Sequence, residues 1–92
     1  MSDIAVLNLD GTVLESKEEL HNTVFYQLAL PDYYGRNLDA LWDVLSTWSK
    51  PLSIEVTNTA QLKVNLGDYA DALLDLLRDA EAENKKITCN IS

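Results

Sequence analysis

Two hydrophobic periods take turns along this chain, and each change of period marks a change of element. Ile4 to Leu9 is a near-continuous apolar run closed by Asp10-Gly11, a turn signal, and reads as a buried strand. Ser16-Lys17-Glu18-Glu19 has the form of a capping box and opens a helix turning Leu20, Val24, Phe25 and Leu28 inward. That helix must stop before Pro31, whose ring disfavours helical geometry at Leu30. A second helix is predicted over 37–48, capped by Asn37. Leu52 to Val56 alternates, giving a second strand. Thr57 to Leu66 is ambiguous, with a short helix from about Thr59 to Val64 as the preferred reading. Asp68 to Glu83 sets Ala70, Leu73, Leu74, Leu77 and Ala80 at helical spacing, and should end at Asn84, a residue that tolerates left-handed backbone. Ile87 to Ile91 is the last strand. Strands separated by helices need crossover connections, so the fold class is α/β: a small three-stranded parallel sheet packed against helices. Between the first two strands lie two helices, one more than a crossover needs, which leaves the 37–48 helix free to serve as a surface.

That helix has two unlike faces. On a wheel of about 100° per residue, Leu38, Leu41, Leu45 and Trp48 gather on one side, with Ala40 and Val44 at its margins. Asp39, Asp43 and Ser46 point outward, and Trp42 lies at the edge between the faces. Asp39 and Asp43 are like charges at i,i+4, which costs an isolated helix roughly 0.2–0.5 kcal/mol. Local rules broken without compensation tend to mark function. The segment just before it, Leu-Pro-Asp-Tyr-Tyr-Gly, is a loop with adjacent aromatics.

Length and charge narrow the choice. The 92 residues suffice for one domain, 1–92, and 47% hydrophobic content with three Gly and two Pro argues for a globule. Seven basic against fifteen acidic residues give a net charge of −8. Such a chain repels nucleic acid and anionic membranes and attracts a basic protein, although solubility alone also accounts for acidity. One cysteine, Cys89, excludes an intrachain disulfide and fits a reducing cytoplasm. No apolar run nears the ~20 residues of a membrane span, and no signal peptide opens the chain, so a soluble cytoplasmic protein is expected.

Enzymatic chemistry is sparse. His21, the single histidine, reads as a partly buried structural residue rather than a base, and Cys89 as a small core residue. Gly-rich phosphate loops, Ser/His/Asp orderings and Cys/His metal spacings do not occur, so no cofactor or metal is expected. Asp39, Asp43 and Asp79 could gather as carboxylates for glycoside hydrolysis or cation binding, but so small a chain has little room for a cleft. A protein that is not an enzyme is the better reading. Trp48 suits a core, whereas Tyr33 and Trp42 suit an interface, where aromatics act as anchors.

Leu-Pro-Asp-Tyr-Tyr-Gly (30–35) followed by Asn-Leu-Asp-Ala-Leu-Trp-Asp (37–43) closely resembles the barstar family, bacterial intracellular inhibitors of secreted ribonucleases. Ile4 to Leu9, Leu20-His21, Leu28-Ala29-Leu30, Pro51-Leu52, Leu77-Arg78-Asp79-Ala80 and Ile87-Thr88 have counterparts at nearly constant offsets, so the resemblance spans almost the whole chain. It implies a monomer that lays its loop and second helix across the active site of a small basic ribonuclease, with carboxylates imitating RNA phosphates. Tyr33 would lie over the enzyme's catalytic histidine. Asn37, Leu38, Asp39, Trp42 and Asp43 match contact positions, and Tyr34, Gly35 and Thr47 belong to the same implied surface. Asp43 would take the site of the scissile phosphate, Asp39 would add a second charge, and Asp79 would support them where Glu is usual. The resemblance also implies a cis Lys50–Pro51 bond. The chain departs from the family at Arg36, where an acidic residue is familiar, and at Thr47, where Gly is. Ser49-Lys50 is one residue shorter than the usual segment, and Val44 and Lys85 stand where Cys is known. An interaction module for a different basic protein is the alternative, since it would use the same acidic face.

Overall fold

Strand pairing sets the two faces of the sheet. The structure, a computed structural model, describes residues 4–92. Its elements in chain order are β1 (Ala5–Asp10), α1 (Lys17–Gln27), α2 (Leu38–Ser46), β2 (Leu52–Thr57), α3 (Thr59–Leu66), α4 (Asp68–Glu83) and β3 (Ile87–Ile91). The three strands form one parallel sheet in the order β1-β2-β3. Leu7, Ile54 and Cys89 lie side by side, as do Leu9, Val56 and Ile91, and all point towards the helices. Leu20, Val24, Leu41, Leu45, Leu62, Leu73 and Leu77 complete the buried core. α1 packs on β1 and α4 on β3, while α2 and α3 both lie against α4.

The opposite sheet face is open. Its registered rows are Val6, Ser53 and Thr88, then Asn8, Glu55 and Asn90. Val6 is 47% exposed, and the rest are polar residues, exposed or half-buried. Parallel sheets usually have both faces covered, and the apolar run of β1 suggested the same. Here the polar partners on β2 and β3 make one wet face tolerable. Glu55 accepts hydrogen bonds there from Ser53 Oγ (3.3 Å) and Asn90 Nδ2 (2.7 Å). Along the rims, the Asn8 N–H donates to Gln27 Oε1 (2.7 Å) and Gln27 Nε2 returns a bond to the Asn8 carbonyl (3.1 Å). On the other rim, the Cys89 N–H donates to Glu81 Oε2 (2.8 Å).

Helix ends follow local chemistry. Ser16 caps α1 by accepting from the Glu19 N–H (3.1 Å). At its far end, Leu30 N–H reaches the Phe25 carbonyl (3.0 Å) and Ala29 N–H reaches Tyr26 (3.3 Å), a Schellman closure. Ala29 supplies the left-handed backbone there (φ 51°), where Gly is usual. α4 has the predicted bounds, but Asn84 is extended (φ −121°), not left-handed. Its side chain acts as a tie instead, donating to the carbonyls of Leu45 and Trp48 (both 2.9 Å) and accepting from the Lys86 N–H (3.0 Å). Those carbonyls belong to the C-terminal end of α2, so one amide fixes α2 against α4.

Two further expectations need correcting. Every peptide bond among the described residues is trans, Lys50–Pro51 included. The trans chain enters the sheet directly: Pro51 accepts from the Ala5 N–H (2.9 Å) and Leu52 donates to Lys86 (2.8 Å). Nor is a spare helix peculiar to the first crossover, because α3 and α4 together join β2 to β3. What sets α2 apart is the surface it carries.

Candidate functional site

The loop between α1 and α2 presents one tyrosine and buries the next. Tyr33 is 88% exposed, while Tyr34 is only 6% exposed and belongs to the core. A turn bond from the Tyr34 N–H to the Pro31 carbonyl (3.0 Å) helps to set this opposition. Tyr34 was expected on the partner-facing surface; the structure instead puts its hydroxyl 2.7 Å from Nδ1 of His21, itself 1% exposed. Nε2 of the same imidazole lies 2.6 Å from the hydroxyl of Tyr69, in the first turn of α4. A neutral imidazole has one N–H and one lone pair, so one tyrosine donates to it and the other accepts. Burial, with the nearby Arg36 charge second, holds the His21 pKa below its ordinary value. Burial, with Tyr69 second, pushes the Tyr34 phenol up to about 12. His21 is therefore structural, and it pins the loop from beneath.

Arg36 leaves the loop in left-handed geometry (φ 55°) and turns back towards α1. Its guanidinium stacks 4.6 Å from the centroid of Phe25 and donates to Asn22 Oδ1. Asn37 then starts α2, with its Oδ1 accepting from the Ala40 N–H (2.7 Å) and its Nδ2 donating to the Gly35 carbonyl (3.3 Å).

A groove flanks α2 on each side. The one towards the loop, of about 410 Å³, is lined by Pro31, Tyr33, Asp43, Thr47, Trp48 and Lys50, among others. Thr47 lies at the helix C-cap with its hydroxyl donating to the Asp43 carbonyl (2.7 Å), so its methyl adds bulk at this rim. The second groove, of about 430 Å³, runs between α2 and α4 and has Leu38, Trp42 and Leu76 with Asp39, Asp75 and Asp79. Half-buried Leu38 and Trp42 supply apolar surface, and the aspartates are exposed. Asp75 has a cation beside it, Arg78 at 3.6 Å. Among the described residues, Asp39, Asp43 and Asp79 have no ion pair.

The structure thus gathers Tyr33, Gly35, Asn37, Leu38, Asp39, Trp42, Asp43, Thr47 and Asp79 around one helix, and withdraws Tyr34 from that surface. Asp39 shares a groove with Asp79, whereas Asp43 lines the other with Tyr33. Sequence reasoning missed Asp75 and Leu76, which share the outward stripe of α4 at i−4 and i−3 from Asp79; that spacing was available as a signal. It also missed Tyr69, whose partnership with His21 spans 48 positions and leaves no local trace. No group of three or more His, Cys, Asp or Glu side chains among the described residues is arranged to hold a metal ion. No described helix is long and apolar enough to cross a membrane.

Comparison with known proteins shows the family. The family profile described as Barstar (barnase inhibitor) matches residues 4–92. A protein of Bacillus subtilis (strain 168) named "Putative ribonuclease inhibitor YrdF" is 44% identical over 78 residues, covering 84% of this chain and 86% of that one. With the family matched from β1 to the last described residue, the chain belongs to the barstar family.

Proposed function

We propose that this protein is a stoichiometric inhibitor of a small basic microbial ribonuclease, working inside the cell that makes the enzyme. Family membership and the name of its Bacillus relative support inhibition of a ribonuclease. The observation that carries the finer reading is that Asp39, Asp43 and Asp79 have no ion pair among the described residues, with the exposed Tyr33 lining the same groove as Asp43. A nuclease active site built to hold RNA phosphates offers clustered cations. Carboxylates placed against them form charge-assisted, often bidentate hydrogen bonds, strongest with Arg. Tyr33 and Trp42 are the aromatic anchors, each large and stiff enough to bury area at low entropic cost. Because the contact excludes water, each charge must meet a partner, which makes recognition stringent. RNA is excluded because its binding ground is covered, so the inhibitor needs no chemistry of its own.

Titration against a panel of small microbial ribonucleases, following RNA hydrolysis, tests this. At least one enzyme should lose its activity at a 1:1 ratio. A panel left active at micromolar inhibitor would overturn the assignment and favour a different basic protein as partner.

A further inference from the structure

The familiar acidic position of the family is occupied here by Arg36, a cation in a loop proposed to meet a basic enzyme. Its placement resolves the conflict. Arg36 adopts left-handed backbone (φ 55°), a conformation that the Cβ of a non-glycine residue disfavours. Residues held in such geometry persist where their surroundings over-determine them. Here the surroundings are visible: the guanidinium carbon lies over the Phe25 ring, 4.6 Å from its centroid, and the guanidinium donates to Asn22, both residues on α1. Ala29, at the other end of the same loop, is also left-handed (φ 51°). Two strained residues therefore bracket the segment that carries Tyr33, and Tyr34 anchors its middle to His21. Each anchor holds the loop to the body of the protein, and Tyr33 is left projecting at 88% exposure.

We infer that Arg36 is a positioning residue, a staple from the recognition loop to α1 that presents Tyr33 in its binding orientation before any partner arrives. The inference extends the inhibitor reading and rests on it for the identity of the partner. Preorganisation of this kind removes part of the ordering cost of association, and that gain appears mainly in the dissociation rate. A second consequence follows from direction: turned onto α1, the Arg36 charge is held by Phe25 and Asn22 and is not presented beside Asp39 and Asp43.

The test compares Arg36→Gly, which suits the left-handed backbone but has no side chain, with Arg36→Gln, which removes only the charge and fork. Backbone ¹⁵N relaxation on the free protein is the first readout. Order parameters over residues 32–36 should fall in both variants from the rigid value of about 0.85 towards about 0.6, with the helices unchanged. Unchanged loop order in Arg36→Gly would overturn the staple. Barnase is the second probe: both variants should dissociate faster, by about tenfold. An association rate that rises while dissociation stays fixed would show Arg36 to be only a repelling charge, and would also overturn it. If barnase binds no form of the protein, the inhibitor reading loses support, while the relaxation data on free protein still decide the staple.

Discussion

Aspartates in two regions of this molecule meet opposite fates. Where β1 runs into its turn, Asp10 accepts from the Thr12 N–H and hydroxyl (2.9 and 2.8 Å) and from Asn58 Nδ2 (2.9 Å). Those bonds, the Thr12 N–H first, hold its pKa below the ordinary carboxylate value. On α4, Asp71 pairs with Lys63 of α3 at 3.2 Å. On α2, Asp39 and Asp43 have no such ion-pair partner among the described residues, although the chain carries seven basic residues. Arg36, the nearest in sequence, is turned towards α1. Acidity at the turn is spent within the fold, and acidity on α2 is kept available. Net charge cannot distinguish these uses; the partner of each carboxylate does.

The contrast breaks most sharply in binding. Asp43→Asn should weaken association with the cognate ribonuclease by at least about 2 kcal/mol, because it leaves enzyme cations unpaired in a dry contact. Asp10→Asn should leave that affinity unchanged. Calorimetric titration of both variants checks the pair, and equal losses would erase the distinction. Next in size is the tie that holds α2 in place. Asn84→Ala strands the Leu45 and Trp48 carbonyls and the Lys86 N–H, and should lower stability by about 1–3 kcal/mol in denaturant melts, with an unchanged slope.

A smaller effect is expected at His21. Its folded pKa lies below the ordinary value of 6.5, so the unfolded chain binds the proton more readily. The contribution is therefore full above about pH 6.5 and falls as pH drops below it towards the folded pKa. Denaturant midpoints between pH 8 and pH 5 should decline on the acid side, and His21→Gln should flatten that decline. The smallest effect returns to α2: Asp43→Asn should leave the free fold as stable or raise it by roughly 0.2–0.5 kcal/mol, since a like-charge neighbour of Asp39 is removed. Lost stability in that variant would mean that the fold uses Asp43 after all.

Much of this was legible in the chain because it is local. Ser16 with Glu19, Asn37 with Ala40, and the heptad-like spacing from Ala70 to Ala80 specify helices through neighbours a turn away. The outward face of α2 was readable for the same reason. What escaped depends on distant partners. Tyr33 and Tyr34 are indistinguishable in a loop without a period, and only His21, thirteen positions earlier, tells them apart. The sign of Arg36 could be read, but its direction is set by Phe25 and Asn22 on another helix. β1 looked fully buried from its own residues. Its open face becomes visible only when Val6 and Asn8 are set beside Ser53, Glu55, Thr88 and Asn90.

The bonds along the rims of the sheet bear on a different problem. Both β1 and β3 are outer strands, so each could template a strand from another chain. Gln27 fills the donor and acceptor of Asn8 on one rim, and Glu81 occupies the Cys89 amide on the other while setting a carboxylate against any approaching backbone. If the protein works as the one-to-one inhibitor proposed above, it must be held at a concentration at least equal to that of its target. With helix side chains already bonded to the middle of each outer strand, both rims offer a poorer template to a second chain at that concentration.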